Sequence, residues 1–254
     1  MSKTKVFLPL AVLVLLIAPA RAQQKTVNIG EVYVMVPKPG MVKQFEEGRK
    51  RHMEWHKKQN DTWGWNTWQV ITGEATGAYL STTFGHTWKD FDDWYAKYAT
   101  ADSADVDTNI APYLAATSGS VWQYMANVSR PPDSKAPPKM AEVLHFMVKP
   151  DAESDFNYAL GKIDEAIKKT NWTTHYETYV LANGGEGPHY VIVFPHDSWA
   201  DMAEPEVSFD SMMEKAFGKH EGEAVTKEIN RTLKSQWSEM LVYRSDLSYV
   251  PASK

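Results

Sequence analysis

The two halves of this 254-residue chain resemble each other, and this internal similarity constrains the fold more than any other feature. Three pairs of segments match in the same order: EVYVMVPKPG (31–40) with EVLHFMVKPD (142–151), TFGHTW (83–88) with VFPHDSW (193–199), and SVWQYM (120–125) with SQWSEM (235–240). The first pair is offset by 111 residues and also aligns Phe45 with Phe156. Landmarks repeated at nearly constant spacing predict that one structural unit occurs twice.

A proline-rich segment at 129–139, SRPPDSKAPPK, separates the two halves. It contains four prolines and no large apolar residue, which is typical of an extended linker. We therefore predict a first repeat at 23–128 and a second repeat at 140–254. Each is long enough to build its own hydrophobic core.

Both halves share one predicted order of elements: strand, helix, two strands, helix and strand. In the first half these are 29–36, 40–59, 65–72, 77–84, a helical region from Trp88, and a closing strand near 120–128. In the second half they are 141–148, 151–169, 174–182, 189–194, a helical region from Trp199, and a closing strand near 238–247. The order β-α-β-β-α-β is that of a ferredoxin-like unit.

Two such units, with a strand that ends at Lys-Pro and an F-x-H-x-(x)-W step into the second helix, resemble the dimeric α+β barrel superfamily. Within it they are most similar to the NIPSNAP and antibiotic-biosynthesis-monooxygenase-like group. The resemblance implies an α+β fold in which two tandem ferredoxin-like units form a barrel-like pseudo-dimer. Members include haem-degrading and cofactor-free monooxygenases and chlorite dismutases, so the fold alone does not assign a function.

The N-terminal segment has the pattern of a secretion signal. Two lysines precede an apolar run at 6–20, and ARA at 20–22 fits the small-x-small rule for cleavage. We predict that residues 1–22 are removed, that the mature chain begins at Gln23, and that the protein is secreted or periplasmic. The alternative is an uncleaved membrane anchor, which the shortness of the apolar run disfavours.

Charge and cysteine content exclude several classes of function. The formal net charge is −5, and it becomes −8 once the three positive charges of the signal are removed. An acidic chain argues against nucleic acid and anionic membrane surfaces as partners. The sequence contains no cysteine, which excludes disulfides, thiol catalysis, iron–sulfur clusters and covalently attached haem. The sequence does not determine the oligomeric state.

The second half provides an internal control for a polar helix in the first half. Its first helix has an apolar stripe at helical spacing, formed by Ala152, Phe156, Ala159, Leu160, Ile163, Ala166 and Ile167. Such a stripe must face the sheet. At the offset of 111, three aliphatic members of the stripe are replaced by Arg49, His52 and His56. We predict that these three side chains point toward the sheet and line a cavity that the second half lacks.

Two other interpretations of this helix remain open. In one, Arg49 reaches the surface and the histidines bond to main-chain carbonyls, which would make a purely structural network. In the other, the helix is rotated by one position, so that Arg49 is exposed and Met53 is buried instead.

The functional interpretation is a site for a small anionic or aromatic ligand, because buried polar groups are costly without partners. Arg49 would hold a carboxylate or phenolate, and one histidine would act as a base near neutral pH. Trp65 and Trp68, within WGWNTW at 63–68, are predicted to form a wall of the pocket. The alternative for this segment is a stacking platform for a sugar or a base.

The sequence identifies no cofactor. The spacing of His52 and His56 could chelate a metal ion, but no third ligand is evident, so a metal site is the minor alternative. One of the two histidines could also be the axial ligand of a haem.

The remaining histidines rank lower as site residues. His145, His175 and His189 lie on three predicted strands and converge only if their side chains share a face, which depends on register. His86 and His196 recur at the same strand-to-helix corner of both halves, which favours a structural role.

Two functions from different classes follow. The first is an exported ligand-binding protein, with an oxygenase-type enzyme, either cofactor-free or haem-dependent, as its catalytic form. The second is a non-catalytic exported module whose aromatic residues serve the core and an interface. An accessible site around the two histidines favours the first, and bonding of these side chains to the main chain favours the second.

Overall fold

The computed structural model describes residues 28–134 and 136–251. The predicted signal peptide at 1–22 and its cleavage site before Gln23 lie outside the described residues. No helix in the described part of the chain is long and apolar enough to cross a membrane.

The described chain contains eight strands and five α-helices. The strands are β1 (Ile29–Pro37), β2 (Asn66–Val70), β3 (Tyr79–His86), β4 (Leu114–Tyr124), β5 (Met140–Val148), β6 (Glu177–Asn183), β7 (His189–His196) and β8 (Leu233–Tyr243). The helices are α1 (Val42–Lys58), α2 (Trp88–Asn109), α3 (Glu153–Thr170), α4 (Phe209–Phe217) and α5 (Lys219–Thr232).

All eight strands form one closed antiparallel barrel in the order β1-β3-β2-β8-β5-β7-β6-β4. Strands of the two halves join twice, where β2 pairs with β8 and where β4 pairs with β6. The predicted α+β class and the barrel are therefore confirmed.

The barrel has an apolar interior because successive side chains of a strand point to opposite faces. Strand β5 shows this alternation: Ala141 and Val143 belong to the interior core, which also contains Val70, Trp122, Tyr179, Val191 and Leu241. The outer face of the first-half strands packs against α1 and α2, whereas α3, α4 and α5 cover the second half.

Several local contacts recur at an offset of 111 residues. The rings of Phe45 and Tyr79 lie 4.9 Å apart at 52°, and those of Phe156 and Tyr190 lie 4.8 Å apart at 50°. A capping box joins Thr87 to Asp90 at the start of α2, and another joins Ser198 to Asp201. These contacts join the first helix to the sheet, and the third strand to the element that follows it, in the same way in both halves.

The closing strands differ from the prediction. They span Leu114–Tyr124 and Leu233–Tyr243 rather than 120–128 and 238–247. After the leucine that begins each strand, the next five residues are exposed, so this part of the strand shows no alternation of buried and exposed side chains.

The alignment of Trp122 with Trp237 is also wrong. Trp122 lies opposite Gly30, and Leu241 occupies the corresponding place opposite Ala141, whereas Trp237 lies opposite His145. The second half also divides its last helical region into α4 and α5, which are separated at Gly218 with φ of +80°. Because this region is longer in the second half, the segments SVWQYM (120–125) and SQWSEM (235–240) do not occupy equivalent places in the two halves.

The helices α1 and α2 approach each other closely at Gly48. A Cβ atom at this position would lie 1.8 Å from the main-chain oxygen of Asn109, at the end of α2. Gly161 of α3 is also within a helix, but a Cβ atom there would meet nothing within 4 Å. The absence of a side chain at Gly48 therefore sets the distance between the two helices.

These two glycines make a matched pair for a stability test. We expect Gly161→Ala to stabilise the protein by up to about 1 kcal/mol, because alanine is the better helix former. Gly48→Ala should instead destabilise it by about 1–3 kcal/mol through overpacking. Urea unfolding of both variants measures the two changes in the free energy of unfolding. Equal changes would show that the packing of α1 against α2 does not depend on the contact at Gly48.

Candidate functional site

The three polar residues predicted on α1 are all buried against the sheet. Arg49, His52 and His56 are 3%, 3% and 1% exposed. Met53 is buried as well. The rotated register, in which Arg49 would be exposed, is therefore wrong.

Arg49 is bound by hydroxyl groups of the sheet. Its Nε donates to Thr67 Oγ1 (3.2 Å) and its Nη2 donates to Ser81 Oγ (2.6 Å). Burial lowers the pKa of Arg49 to about 10, and the charge of Asp102 opposes this shift. Arg49 therefore remains a cation at neutral pH and adds positive potential to the space beside it.

His56 is oriented by the buried carboxylate of Asp61. His56 Nδ1 donates to Asp61 Oδ2 at 2.8 Å. The same carboxylate accepts hydrogen bonds from the main-chain nitrogen of Trp63 and from the indole nitrogens of Trp65 and Trp94. These donors outweigh the effect of burial and lower the pKa of Asp61, so the carboxylate is ionised and can only accept.

His52 is oriented in the same way from α2. Its Nδ1 donates to Asp105 Oδ2 at 2.8 Å, and Asp105 Oδ1 accepts a further bond from the side chain of Asn109 at 3.0 Å. Two histidines one turn apart on α1 are thus each paired with a separate carboxylate.

The two Nε2 atoms face each other and a third carboxylate. They lie 3.1 Å apart, and Asp102 Oδ1 is 3.6 Å from His52 Nε2 and 3.5 Å from His56 Nε2. The Asp102 side chain is 22% exposed, whereas both histidines are nearly inaccessible. The group therefore opens to solvent on the side of α2.

Both imidazoles are neutral, with the proton on Nδ1. Burial, together with the charges of Arg49 and His56, lowers the pKa of His52 to about 2. Burial also lowers the pKa of His56, against the opposing effect of Asp61. Because each Nδ1 donates to a carboxylate, each Nε2 carries a free lone pair. The arrangement can accept a proton or coordinate a cation at Nε2.

Burial raises the pKa of Asp102 to about 7, although the charge of Arg49 opposes this shift. No side chain in the described ranges donates a hydrogen bond to Asp102 within 3.5 Å. This carboxyl group is therefore not part of a satisfied structural network.

The sheet beneath the helices is also polar in the first half. Thr67, Ser81 and Tyr33 lie side by side across β2, β3 and β1, on the face toward α1 and α2. The corresponding row in the second half is Thr178, Ile192 and Leu144. The second half thus fills this space with aliphatic side chains from both the helix and the sheet.

The two tryptophans predicted as a pocket wall lie in different places. Trp65 stacks on His56, with ring centroids 5.3 Å apart, and bonds to Asp61. Trp68 packs inside the barrel against Tyr243. Thr67 is the β2 residue that faces Arg49, so its neighbour Trp68 must point to the opposite face.

A surface cleft of about 790 Å³ lies next to Asp61 and is lined in part by Met53, Asn60 and Tyr249. Tyr249 stacks on His56, with centroids 6.0 Å apart at 14°. The volume is in the range of small-molecule sites. Its lining includes Asp61 but neither His52 nor His56, so this cleft is not the cavity that the sequence predicted around the two histidines.

The second-half histidines converge in part. His145 Nδ1 lies 3.1 Å from His189 Nε2 inside the barrel, and the ring of Trp237 stacks on His145 at 4.6 Å. His175 is exposed and precedes β6, so it does not join them. His86 bonds to Thr83 at the strand end, in keeping with the structural role predicted for it.

Three carboxylates that build the site were not predicted: Asp61, Asp102 and Asp105. A signal for two of them exists, because Trp94, Tyr98, Asp102 and Asp105 follow one another at helical spacing. The first two residues of that stripe are aromatic and the last two are acidic. Asp61 carries no periodic signal, because it lies in the loop between α1 and β2.

No protein-family model matches the sequence, and no curated protein matches it. Solved structures do match. A monooxygenase-like protein from Lactobacillus acidophilus gives a TM-score of 0.51 at 9% identity over 89% of this chain and 97% of that chain. An anthrone oxidase-like protein gives a TM-score of 0.50 at 12% identity, and the match covers 87% of this chain and 92% of that chain. Chlorite dismutase from Candidatus Nitrospira defluvii in complex with imidazole gives a TM-score of 0.51 at 9% identity, and the match covers 86% of this chain and 92% of that chain.

These proteins belong to the dimeric α+β barrel superfamily. The resemblance predicted from the sequence is therefore confirmed at the level of this fold. At such low identity the likeness shows the fold alone, and the closer similarity to the NIPSNAP group remains a prediction.

The carboxylates of Asp61 and Asp102 should differ sharply in their effect on stability. Asp61→Ala leaves several buried donors unpaired at about 1–3 kcal/mol each, so we expect a loss of at least about 3 kcal/mol. Asp102→Ala removes no direct hydrogen bond and should change stability by less than about 1 kcal/mol. Thermal unfolding followed by near-ultraviolet circular dichroism measures both, and a large loss in Asp102→Ala would assign that residue a structural role.

A pH test applies to the barrel histidines. Burial and the neighbouring His145 lower the pKa of His189 to about 4. Between pH ~6.5 and ~4 the unfolded chain therefore binds a proton that the folded chain does not, and stability falls as pH falls. His189→Gln should reduce this slope by up to about 1.4 kcal/mol per pH unit. Urea unfolding at several pH values tests this, and parallel slopes for the two proteins would contradict it.

Proposed function

We propose that this chain is an exported enzyme of the oxygenase type that binds a small anionic or aromatic molecule beside His52, His56 and Arg49. One observation carries the proposal: the space between helix and sheet holds buried ionisable side chains in the first half and aliphatic side chains at the same positions in the second. Burying polar groups costs stability unless they are hydrogen-bonded, and the aliphatic side chains of the second half support a role for the polar ones beyond packing.

The proposal includes a tandem duplication with repeats at 23–128 and 140–254 joined by the linker at 129–139. It is supported by the Phe–Tyr contacts and the capping boxes that recur at an offset of 111 residues. Export rests on the signal pattern at 1–22, which would place the enzyme outside the cytoplasm.

The non-catalytic module is less well supported. That function requires the polar side chains of α1 to bond to main-chain atoms. Instead, the hydrogen-bond partners of Arg49, His52 and His56 within the described residues are all side chains. Each Nδ1 donates to its own carboxylate, which leaves a free lone pair on each Nε2.

A haem bound through either histidine does not fit this arrangement. An axial histidine must direct its Nε2 lone pair at the iron, with space for the macrocycle in front of it. Here each Nε2 faces the other ring at 3.1 Å. The site suits a small reactive centre between the two imidazoles, which a small molecule would reach on the side of Asp102.

The named neighbours suggest a first substrate to test. Two of the similar structures are monooxygenase-like and anthrone oxidase-like proteins. Anthrone and O₂ give anthraquinone and water, and the reaction begins with loss of a proton from an activated carbon. Two neutral imidazoles beside a cationic Arg49 would favour the resulting anion.

The test is the double substitution His52→Ile with His56→Ile, which reproduces the residues found at 163 and 167. The protein purified from its native host should oxidise anthrone in air, as measured by the absorbance of anthraquinone, and the double variant should lose at least 100-fold of that rate. Asp61 and Asp105 keep other donors in the variant. We therefore expect its melting temperature to be unchanged or higher.

The matched control replaces the two barrel histidines, His145→Leu with His189→Leu, and should keep the wild-type rate. Equal rates for the wild type and the α1 double variant would reject the enzyme proposal. A clear fall in the melting temperature of the α1 double variant would mean that the histidines are structural.

A further inference from the structure

Two lone pairs directed at each other are an unstable arrangement unless something lies between them. Each Nδ1 of His52 and His56 donates to its own carboxylate, so the two Nε2 atoms direct lone pairs at each other across 3.1 Å. The Asp102 carboxylate approaches the same point from α2. Three electron-pair donors therefore converge on a position that suits a cation.

We propose that His52 Nε2, His56 Nε2 and the Asp102 carboxylate bind one divalent first-row transition-metal ion. This is the one group of three such side chains in the described part of the chain whose ligand atoms all lie within 4.8 Å of one another. The inference deepens the proposed function, on which any catalytic role of the ion rests, but the binding itself can be measured separately.

The spacing of the donor atoms fits a single ion. The three separations are 3.1, 3.5 and 3.6 Å. For metal–ligand bonds of about 2.05 Å, two ligands lie about 2.9 Å apart at an octahedral angle and about 3.4 Å apart at a tetrahedral angle. Small side-chain adjustments would bring all three atoms within bonding distance of one ion.

The surroundings of the donors are those of a metal site. A histidine that binds a metal through Nε2 almost always donates its Nδ1 proton to a carboxylate or carbonyl group, which fixes the ring. Asp105 and Asp61 do this for His52 and His56, each at 2.8 Å. Asp61 is itself held by three further donors. The lone pairs are therefore aimed before any ion arrives.

The donor set indicates which ion. Two imidazoles and one carboxylate suit Fe²⁺, Co²⁺ or Zn²⁺ better than Mg²⁺ or Ca²⁺, which prefer oxygen ligands. Three protein ligands on one face leave coordination positions free for a small molecule, as in oxygenases that use non-haem iron. Asp102, the most exposed of the three residues, marks the side from which an ion would enter.

Titration of the metal-depleted protein tests the site. After treatment with EDTA and dialysis, the wild type should bind one equivalent of Co²⁺ or Zn²⁺ by calorimetry. The Co²⁺ form should show visible absorption bands, and its melting temperature should rise. Asp102→Ala, and the double substitution His52→Ile with His56→Ile, should weaken binding at least 100-fold while remaining folded.

Two further variants sharpen the result. Asp105→Asn, which changes the carboxylate partner of His52 Nδ1 but none of the three ligands, should weaken binding by about 10- to 100-fold. His145→Leu with His189→Leu should bind the ion like the wild type and so rule out the barrel histidines as its site. Failure of the folded wild type to bind Co²⁺ or Zn²⁺, or equal binding by the Asp102→Ala variant, would overturn the inference and leave a proton shared with Asp102 as the occupant.

The inference and the proposed function fail in different ways. If EDTA-treated protein oxidises anthrone at the full rate, the enzyme proposal stands and the metal inference is wrong. If one equivalent of metal binds and is lost in the variants, but Fe²⁺-loaded protein leaves anthrone unchanged, the metal site stands and the proposed oxygenase activity is wrong.

Discussion

The buried carboxylate of Asp61 holds the first half of this protein together. It accepts hydrogen bonds from His56 on α1, from Trp63 and Trp65 where the chain enters β2, and from Trp94 on α2. A buried ion is stable only when its lone pairs are satisfied. Because its partners come from three segments, Asp61 fixes the rotation of α1 and the position of α2 together. The orientation of the His56 ring follows from the same contact.

The two halves solve one packing problem in different ways. Each must fill the space between its helices and the outer face of its sheet, and the second half does so with aliphatic side chains such as Ile163 and Ile167. The first half places ionisable groups there and needs a network of hydrogen bonds to compensate for their desolvation. Those hydrogen bonds stabilise side chains that can accept a proton or bind a cation, whereas the aliphatic side chains of the second half contribute packing alone. Residues that could be apolar without loss of fold, yet are buried and ionisable, are candidates for function.

Much of the architecture could be predicted because it follows from periodicity. The helical stripe of α3 gave the inward face of α1 by comparison, and the alternation of β1 and β5 gave strands within one or two residues. The closing strands could not be placed, because the residues that follow their first leucine are exposed on both faces. The position of Trp68 inside the barrel depended on strand register, and the role of Asp61 on a loop. Both are set by tertiary contacts that leave no period in the sequence.

The same reasoning explains why the inward orientation of the two histidines could be predicted but the direction of their ring nitrogens could not. Spacing on a helix places His52 and His56 on one face, and it says nothing about which ring nitrogen points where. That choice is made by Asp105 and Asp61, which belong to other segments and accept the Nδ1 proton. The close approach of α1 and α2 at Gly48 brings Asp105 and Asp102 within reach. A site with its lone pairs already aimed needs little reorganisation to bind its ligand. The rigidity of the aromatic core around Asp61 is thus part of the chemistry that the first half can perform.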